Sequence, residues 1–304
     1  SLHFFFVCVC VLQTYGTVLA EVGSNAKAVE VFQRAVALAP NEGHEKYMYL
    51  SQLLEGPEAI RFSRAGIDIL RRSVESVSES EEEARGELKS QLCQAICSLV
   101  ETMLHSTSNL ADFENADMGI TSKEAVSLLK EAEKHHPTSA EPSQVLASLY
   151  VELGRADDAL QALRKSLSLW RRKENTNANA KNQTAHDMDI DDKDEDEEGL
   201  PSFEFRFETA KLIMELEEDA SEAIEILDDL LAEDDANLDV WFLMTLCHQG
   251  MGQLEDALGC LDHLEQALRK FPEDSLEKQN LQTLRADVQR QMKEEEQAEQ
   301  QQQQ

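Results

Sequence analysis

Apolar and small residues recur along this chain in steps of three and four. Leu12, Gly16 and Leu19 form one stripe and Ala28, Phe32 and Ala35 another, with Gly23 between them and Pro40 beyond. The pattern returns at Trp241, Thr245 and His248, then Gly252, then Ala257, Leu261 and Leu264, with the same offsets of 4, 3, 4, 5, 4 and 3. A period near 3.6 predicts amphipathic helices, here in pairs. Gly23 and Gly252 are predicted to end the first helix of each pair, where a residue of positive φ is wanted. Ala28 and Ala257 are predicted where the two helices cross and only a small side chain fits.

Further half-copies keep the register. Ala125, Leu129, Ala132 and Pro137 fit a second helix, and Ala147, Tyr150, Gly154, Ala159 and Leu163 fit the next copy, with Ala125 and Ala159 34 residues apart. Ala223, Leu227 and Leu230 fit another second helix, again 34 residues before Ala257. That period and these small positions are the spacing of tetratricopeptide repeats, helix pairs that bury their apolar faces only by stacking. Copies between residues 43 and 120 are degenerate, yet Lys46 to Leu54, Glu58 to Val74 and Leu88 to Leu104 keep helical spacing. Thr121 with Glu124 reads as a capping box. No strand alternation appears. The predicted fold is all-α: a right-handed α-solenoid of tetratricopeptide pairs over residues 12–270, after an apolar start at 1–11. A capping helix through Leu276, Leu281, Leu284, Val288 and Met292 and a frayed Gln-rich tail from Gln297 fill 271–304.

Charge narrows the function. Lys and Arg number 28 against 60 Asp and Glu, a net charge of −32. Nucleic acids and anionic membranes demand the opposite sign, so neither is an expected partner. A basic polypeptide is, drawn in by a long-range and salt-sensitive field. Cys8, Cys10, Cys93, Cys97, Cys247 and Cys260 form no Cys-x-x-Cys, and most read as small buried hydrophobes. No metal or cofactor is expected. The run Phe4 to Leu12 resembles a secretory core but lacks a basic flank and a cleavage site. It reads as part of the first helix of a truncated or wrongly joined start.

Between Trp170 and Phe203 the register breaks, with an insert at about 174–201. Asp187, Asp189, Asp191, Asp192, Asp194, Glu195, Asp196, Glu197 and Glu198 make a run too charged to pack. Three of the Asp and Glu198 fall at calcium-loop positions, but Asp192 stands where glycine is required. The insert is expected to be an anionic loop, solvated or capturing a basic segment. No nucleophile elbow, glycine-rich phosphate loop or metalloprotease helix is present, so an enzyme is not expected.

In such stacks the first helix of each pair lines the concave face. The inward positions hold Gln13 and Glu21; Glu141, Gln144, Ser148 and Glu152; Phe205, Glu208, Leu212 and Glu215; and Asp239, Phe242, Leu246 and Gln249. This face is acidic with apolar patches and suits a basic peptide. The Lys, Asn and Arg clamp of chaperone-tail co-chaperones is missing.

The segments Lys46-Tyr47-Met48-Tyr49-Leu50-Ser51-Gln52-Leu53, Gly66 to Leu70, and Asp239-Val240-Trp241-Phe242-Leu243 behind Glu233-Asp234-Asp235 resemble the dedicated assembly chaperones of large-subunit ribosomal protein four. The similarity covers most of residues 12–270. It implies a monomeric chaperone that binds its newly made ribosomal client and shields a long basic loop. It also implies escort from cytoplasm to nucleus, with nuclear import factors as further partners. Glu141, Glu152, Glu208, Glu215 and Asp239, with the acidic loop, are the expected charge contacts, and Tyr47, Tyr49 and Phe242 the expected apolar anchors. A tetratricopeptide scaffold subunit and a general acidic chaperone of basic proteins such as histones are the alternatives.

Overall fold

The computed structural model describes residues 2–78, 80–106, 122–183, 200–217, 219–272 and 275–302. Among them every regular element is a helix. The chain divides into two compact units, 1–172 and 173–304, at the point where the sequence register breaks.

The first unit holds α1 (Leu2–Glu21), α2 (Asn25–Leu38), α3 (Glu45–Leu53), α4 (Gly56–Ser76), α5 (Glu82–Ser106), α6 (Ser122–His135) and α7 (Glu141–Glu152). It ends within α8 (Ala156–Gln183). Consecutive helices from α1 to α5 pack on one another, as do α5 with α6 and α6 with α7. The first helices also touch each other, α1 with α3 and α5 with α7, as stacked pairs require. The second unit holds α9 (Phe203–Leu216), α10 (Ser221–Glu233), α11 (Leu238–Gly250), α12 (Leu254–Ala267) and α13 (Leu276–Gln302), with a short 3₁₀ turn after α12. Successive helices pack again, and α9 meets α11.

The small residues sit where the pattern puts them. Ala28, Ala125, Ala159, Ala223 and Ala257 are all fully buried. Gly23, Gly154 and Gly252 have φ of 75°, 66° and 73°. Each closes the same C-terminal motif: the Ser24, Arg155 and Gln253 amides reach back to the Leu19, Tyr150 and His248 carbonyls. A β-carbon at any of the three would strain that turn. Gly16 answers a different need. A methyl there would lie 2.8 Å from the Phe32 ring, which is fully buried. Alanine would gain about 1 kcal/mol of helix propensity, but the ring has nowhere to go. Gly16→Val is therefore expected to cost about 2 kcal/mol, read as a lower urea midpoint at unchanged slope.

Ion pairs fasten the second helices of the first unit. Arg71 grips Glu131 with Nε and Nη2 at 2.8 and 2.9 Å, joining α4 to α6. Arg64 reaches Glu124 at 3.2 Å, and Lys165 of α8 reaches Glu133 of α6 at 2.7 Å. In the second unit Leu281 and Val288 of α13 bury against α12, with Leu284 and Met292 beside them. Leu276, expected in that seam, is exposed. The Gln-rich end is helical to Gln302 rather than frayed from Gln297. Thr121, the expected cap, and the acidic residues Asp187 to Glu198 lie outside the described residues.

Candidate functional site

The first unit carries a cleft of ≈ 790 Å³ between α1 and α3. Gln13, Thr17 and Glu21, one face of α1, form one wall, and Tyr49 of α3 stands opposite. Phe32 of α2 makes the floor, its ring stacked on Tyr49 with centroids 4.9 Å apart and planes 8° from parallel. Thr14 and Thr17 turn their hydroxyls back to the Cys10 and Gln13 carbonyls, both at 3.1 Å. With those donors satisfied within α1, the threonines offer the cleft mainly their methyls. Glu21, Glu42 and Glu45 supply its charge, and among the described lining residues there is no Lys or Arg.

The loop before α3 ties the nearby lysine to backbone carbonyls. Lys46 is fully buried, and its Nζ donates to the carbonyls of Glu42 and Gly43. Burial pulls its pKa below the ordinary lysine value, against the pull of Glu45 and Glu42. Gly43, at φ 68°, bends the loop so that both carbonyls face the ammonium. A β-carbon there would meet Glu45 Oε2 at 3.1 Å and Gln13 Nε2 at 3.3 Å. The loop is thus held against the rim of the cleft.

Tyr47 is 5% exposed, and its hydroxyl donates to the Pro40 carbonyl at 2.7 Å. It belongs to the core and leaves no surface for a partner, which corrects its expected role as an anchor. Tyr49, two residues on, lines the cleft and stacks on Phe32. Cys10 departs from expectation in the other direction: it is exposed and lines the cleft, whereas Cys93, Cys97, Cys247 and Cys260 are buried. Burial pushes the Cys247 and Cys260 thiols up to about 11, so they stay protonated and unreactive at neutral pH.

Glu141 opens α7, half-buried near Glu101 of α5. Burial, and then the Glu101 charge, push its carboxyl up to about 7. A raised carboxyl pKa favours folding fully below the ordinary value of about 4.5, and that contribution is lost as pH climbs through 7. Glu141→Gln is therefore expected to gain stability over the parent between pH 5.5 and 8. The gain should be about 1 kcal/mol, allowing for partial solvent screening, read from thermal melts at the two pH values. Of the other inward positions on α7, Ser148 is half-buried, Glu152 exposed and Gln144 buried.

In the second unit Glu208, Glu215 and Asp239 are exposed, with Glu208 paired to Lys211 at 2.8 Å. Phe242 is half-buried on the α12 core, and Leu246 is exposed. Leu212 is buried, and Gln249 bonds Gln291 of α13 at 3.0 Å. Glu42 and Glu45 were not expected from the sequence. Their signal was the acidic Glu42-Gly43-His44-Glu45 turn ahead of the Lys46 segment, in a stretch where the repeat register fades.

Residues 122–168 and 216–273 match the tetratricopeptide repeat family. The chain is 28% identical over 234 residues to a protein of Schizosaccharomyces pombe named a probable assembly chaperone of rpl4, covering 75% of this chain and 60% of that one. A protein of the same name from Emericella nidulans is 26% identical over 256 residues, 81% of this chain and 56% of that one. The chain therefore spans less than two thirds of these curated relatives. A solved structure titled assembly chaperone of RpL4 (Acl4), residues 1–338, superposes with a TM-score of 0.64 at 23% identity, covering 83% of this chain and 86% of that one. The Cut9 and Hcn1 hetero-tetramer of the anaphase-promoting complex superposes with a TM-score of 0.52 at 12% identity, over 92% of this chain and 42% of that one. Both structural likenesses are of fold alone.

Proposed function

We propose that this chain is an assembly chaperone of ribosomal protein four, holding a basic extended segment of that client until ribosomal RNA takes it over. The likeness to proteins named for that client, over three quarters or more of the chain, supports the choice of client. The observation that carries the mode of binding is the cleft: three carboxylates around a stacked Phe32 and Tyr49, with the nearby Lys46 buried and held by backbone carbonyls. An arginine or lysine would set its charge against Glu21, Glu42 and Glu45 and its stem on the rings. Glu141 extends the same chemistry at α7. A cation placed beside it would favour its ionised form, so binding would relieve a cost the free protein carries.

A ribosomal protein without its RNA exposes unpaired Lys and Arg that aggregate or bind RNA at random. The net charge of −32 supplies counter-charge without catalysis. Release follows when ribosomal RNA, a denser polyanion, competes for the same cations. The protein acts as a monomer and accompanies the client from cytoplasm to nucleus.

The test is a pull-down of ribosomal protein four, whole and with its long internal loop deleted, at 50 and 500 mM salt, with histones as control. Loop-dependent capture that fades with salt supports the assignment. Equal capture of histones would reduce the protein to a general acidic chaperone, and no capture of either would leave a scaffold subunit.

A further inference from the structure

Two arginines of this chain show how its rings and carboxylates take a cation. Arg155 lies over the Tyr150 ring, its Cζ 4.4 Å from the centroid, while Nε and Nη2 meet the Asp158 carboxylate at 2.7 and 2.6 Å. Arg61 lies over Phe62 at 4.7 Å and pairs with Glu58 at 3.3 Å. A lysine in a comparable place does less. Lys211 pairs with Glu208 at 2.8 Å, but its Nζ stands 6.0 Å from the Phe207 ring, at the outer limit of such attraction. The cleft between α1 and α3 brings together the same two kinds of group, the Tyr49 ring and the carboxylates of Glu21, Glu42 and Glu45.

We infer that this cleft is an arginine site, one that takes an arginine side chain of the basic client in preference to a lysine. The inference rests on the client reading above and names the side chain that the cleft admits. Charge cannot make the choice, since both side chains carry one positive charge. The ring and the walls make it. Phe32 is fully buried and stacks on Tyr49 with planes 8° from parallel, so the Tyr49 ring is fixed before a ligand arrives. A planar guanidinium lies flat on such a ring while its five in-plane donors reach carboxylates at the side. An ammonium drawn to the same carboxylates leaves only its stem against the ring. The walls add to this. Val18 and the rings are apolar, and the Thr14 and Thr17 hydroxyls are bonded within α1. A cation that enters sheds water, and a guanidinium, being more weakly hydrated than an ammonium, loses less by it.

The probes are two labelled peptides of equal length and charge, four repeats of Gly-Ser-Arg and four repeats of Gly-Ser-Lys. Each is titrated with the full chain and read by fluorescence anisotropy. The arginine peptide should bind about fivefold more tightly at low salt. The margin should widen at high salt, because stacking is screened less than the ion pairs are. Tyr49→Leu, checked for fold by circular dichroism, should bring the arginine peptide down to the lysine peptide's affinity, and Tyr49→Phe should keep the preference. Equal affinity of the two peptides overturns the inference. If the triple reversal of Glu21, Glu42 and Glu45 to lysine still abolishes binding of both, the client reading stands without it. A preference that Tyr49→Leu leaves unchanged overturns the inference by placing the arginine site elsewhere. So does a preference that narrows in the parent chain as salt rises, which would be charge alone. Binding of both peptides that the triple reversal leaves untouched would overturn the client's place in the cleft, and the arginine site with it.

Discussion

Arg206→Ala is expected to destabilise the second unit by about 2 to 3 kcal/mol. Arg206 opens α9 and is buried, with Nη1 and Nη2 on the two oxygens of Glu233 at 2.6 and 2.8 Å. Its Nε donates to the Pro201 carbonyl at 3.0 Å. The start of α9 is thereby locked to the end of α10, and the guanidinium holds the Glu233 carboxyl below its ordinary pKa. Truncation strips three charge-assisted bonds at once and leaves Glu233 to water, which reaches it because it is partly exposed. Melting of the second unit should fall by roughly 5 to 10 °C. Replacing both partners with apolar residues, Arg206→Met with Glu233→Leu, should recover most of the loss, because the desolvation cost of the pair disappears with it. A double variant as unstable as Arg206→Ala would mean the ion pair is not what holds this corner.

The triple reversal Glu21→Lys, Glu42→Lys and Glu45→Lys is expected to weaken binding of the basic client about a hundredfold at low salt. Single surface carboxylates are worth little, on the order of 1 kcal/mol each. Grouped around one cleft with no cation among the described lining residues, they act together, and three such losses amount to about two decades of affinity. The fold should survive, since all three side chains are exposed and Lys46 is held by backbone carbonyls rather than by the Glu42 carboxylate. The salt dependence should flatten as well, because the lost contacts are the screened ones. Titration by isothermal calorimetry at two salt concentrations reads both effects. Unchanged affinity would place the client elsewhere on the chain.

The helix pairs were legible because their determinants are local. An alanine where two helices cross and a glycine that ends a helix recur at fixed offsets, and the structure buries or bends each as the offsets require. What escaped is what depends on a second segment. Tyr47 and Tyr49 look alike in the sequence. One turns inward because the Pro40 carbonyl, seven residues back, takes its hydroxyl, and the other outward onto Phe32. Arg206 and Glu233 are 27 residues apart with nothing in either neighbourhood to pair them. Gln144 and Leu212 share repeat positions with groove residues, yet both are buried. Cys10 sits in an apolar run with nothing in it to mark an exposed position, yet its place on α1 is the cleft wall. The offsets therefore locate the helices well and the rotation of each helix less well, which decides whether a residue faces core or groove.

Cys10 also offers the most direct test of the account. It is the exposed thiol among the described cysteines, and it lines the cleft. A photo-activated crosslinker on Cys10, in a Cys8→Ser background, should couple the chain to bound ribosomal protein four. Mass spectrometry should place the link in a basic extended segment, and the triple reversal should abolish it. Full-affinity binding of the client with no crosslink from Cys10, or a link to a folded and uncharged surface, would contradict the claim that this cleft holds the client.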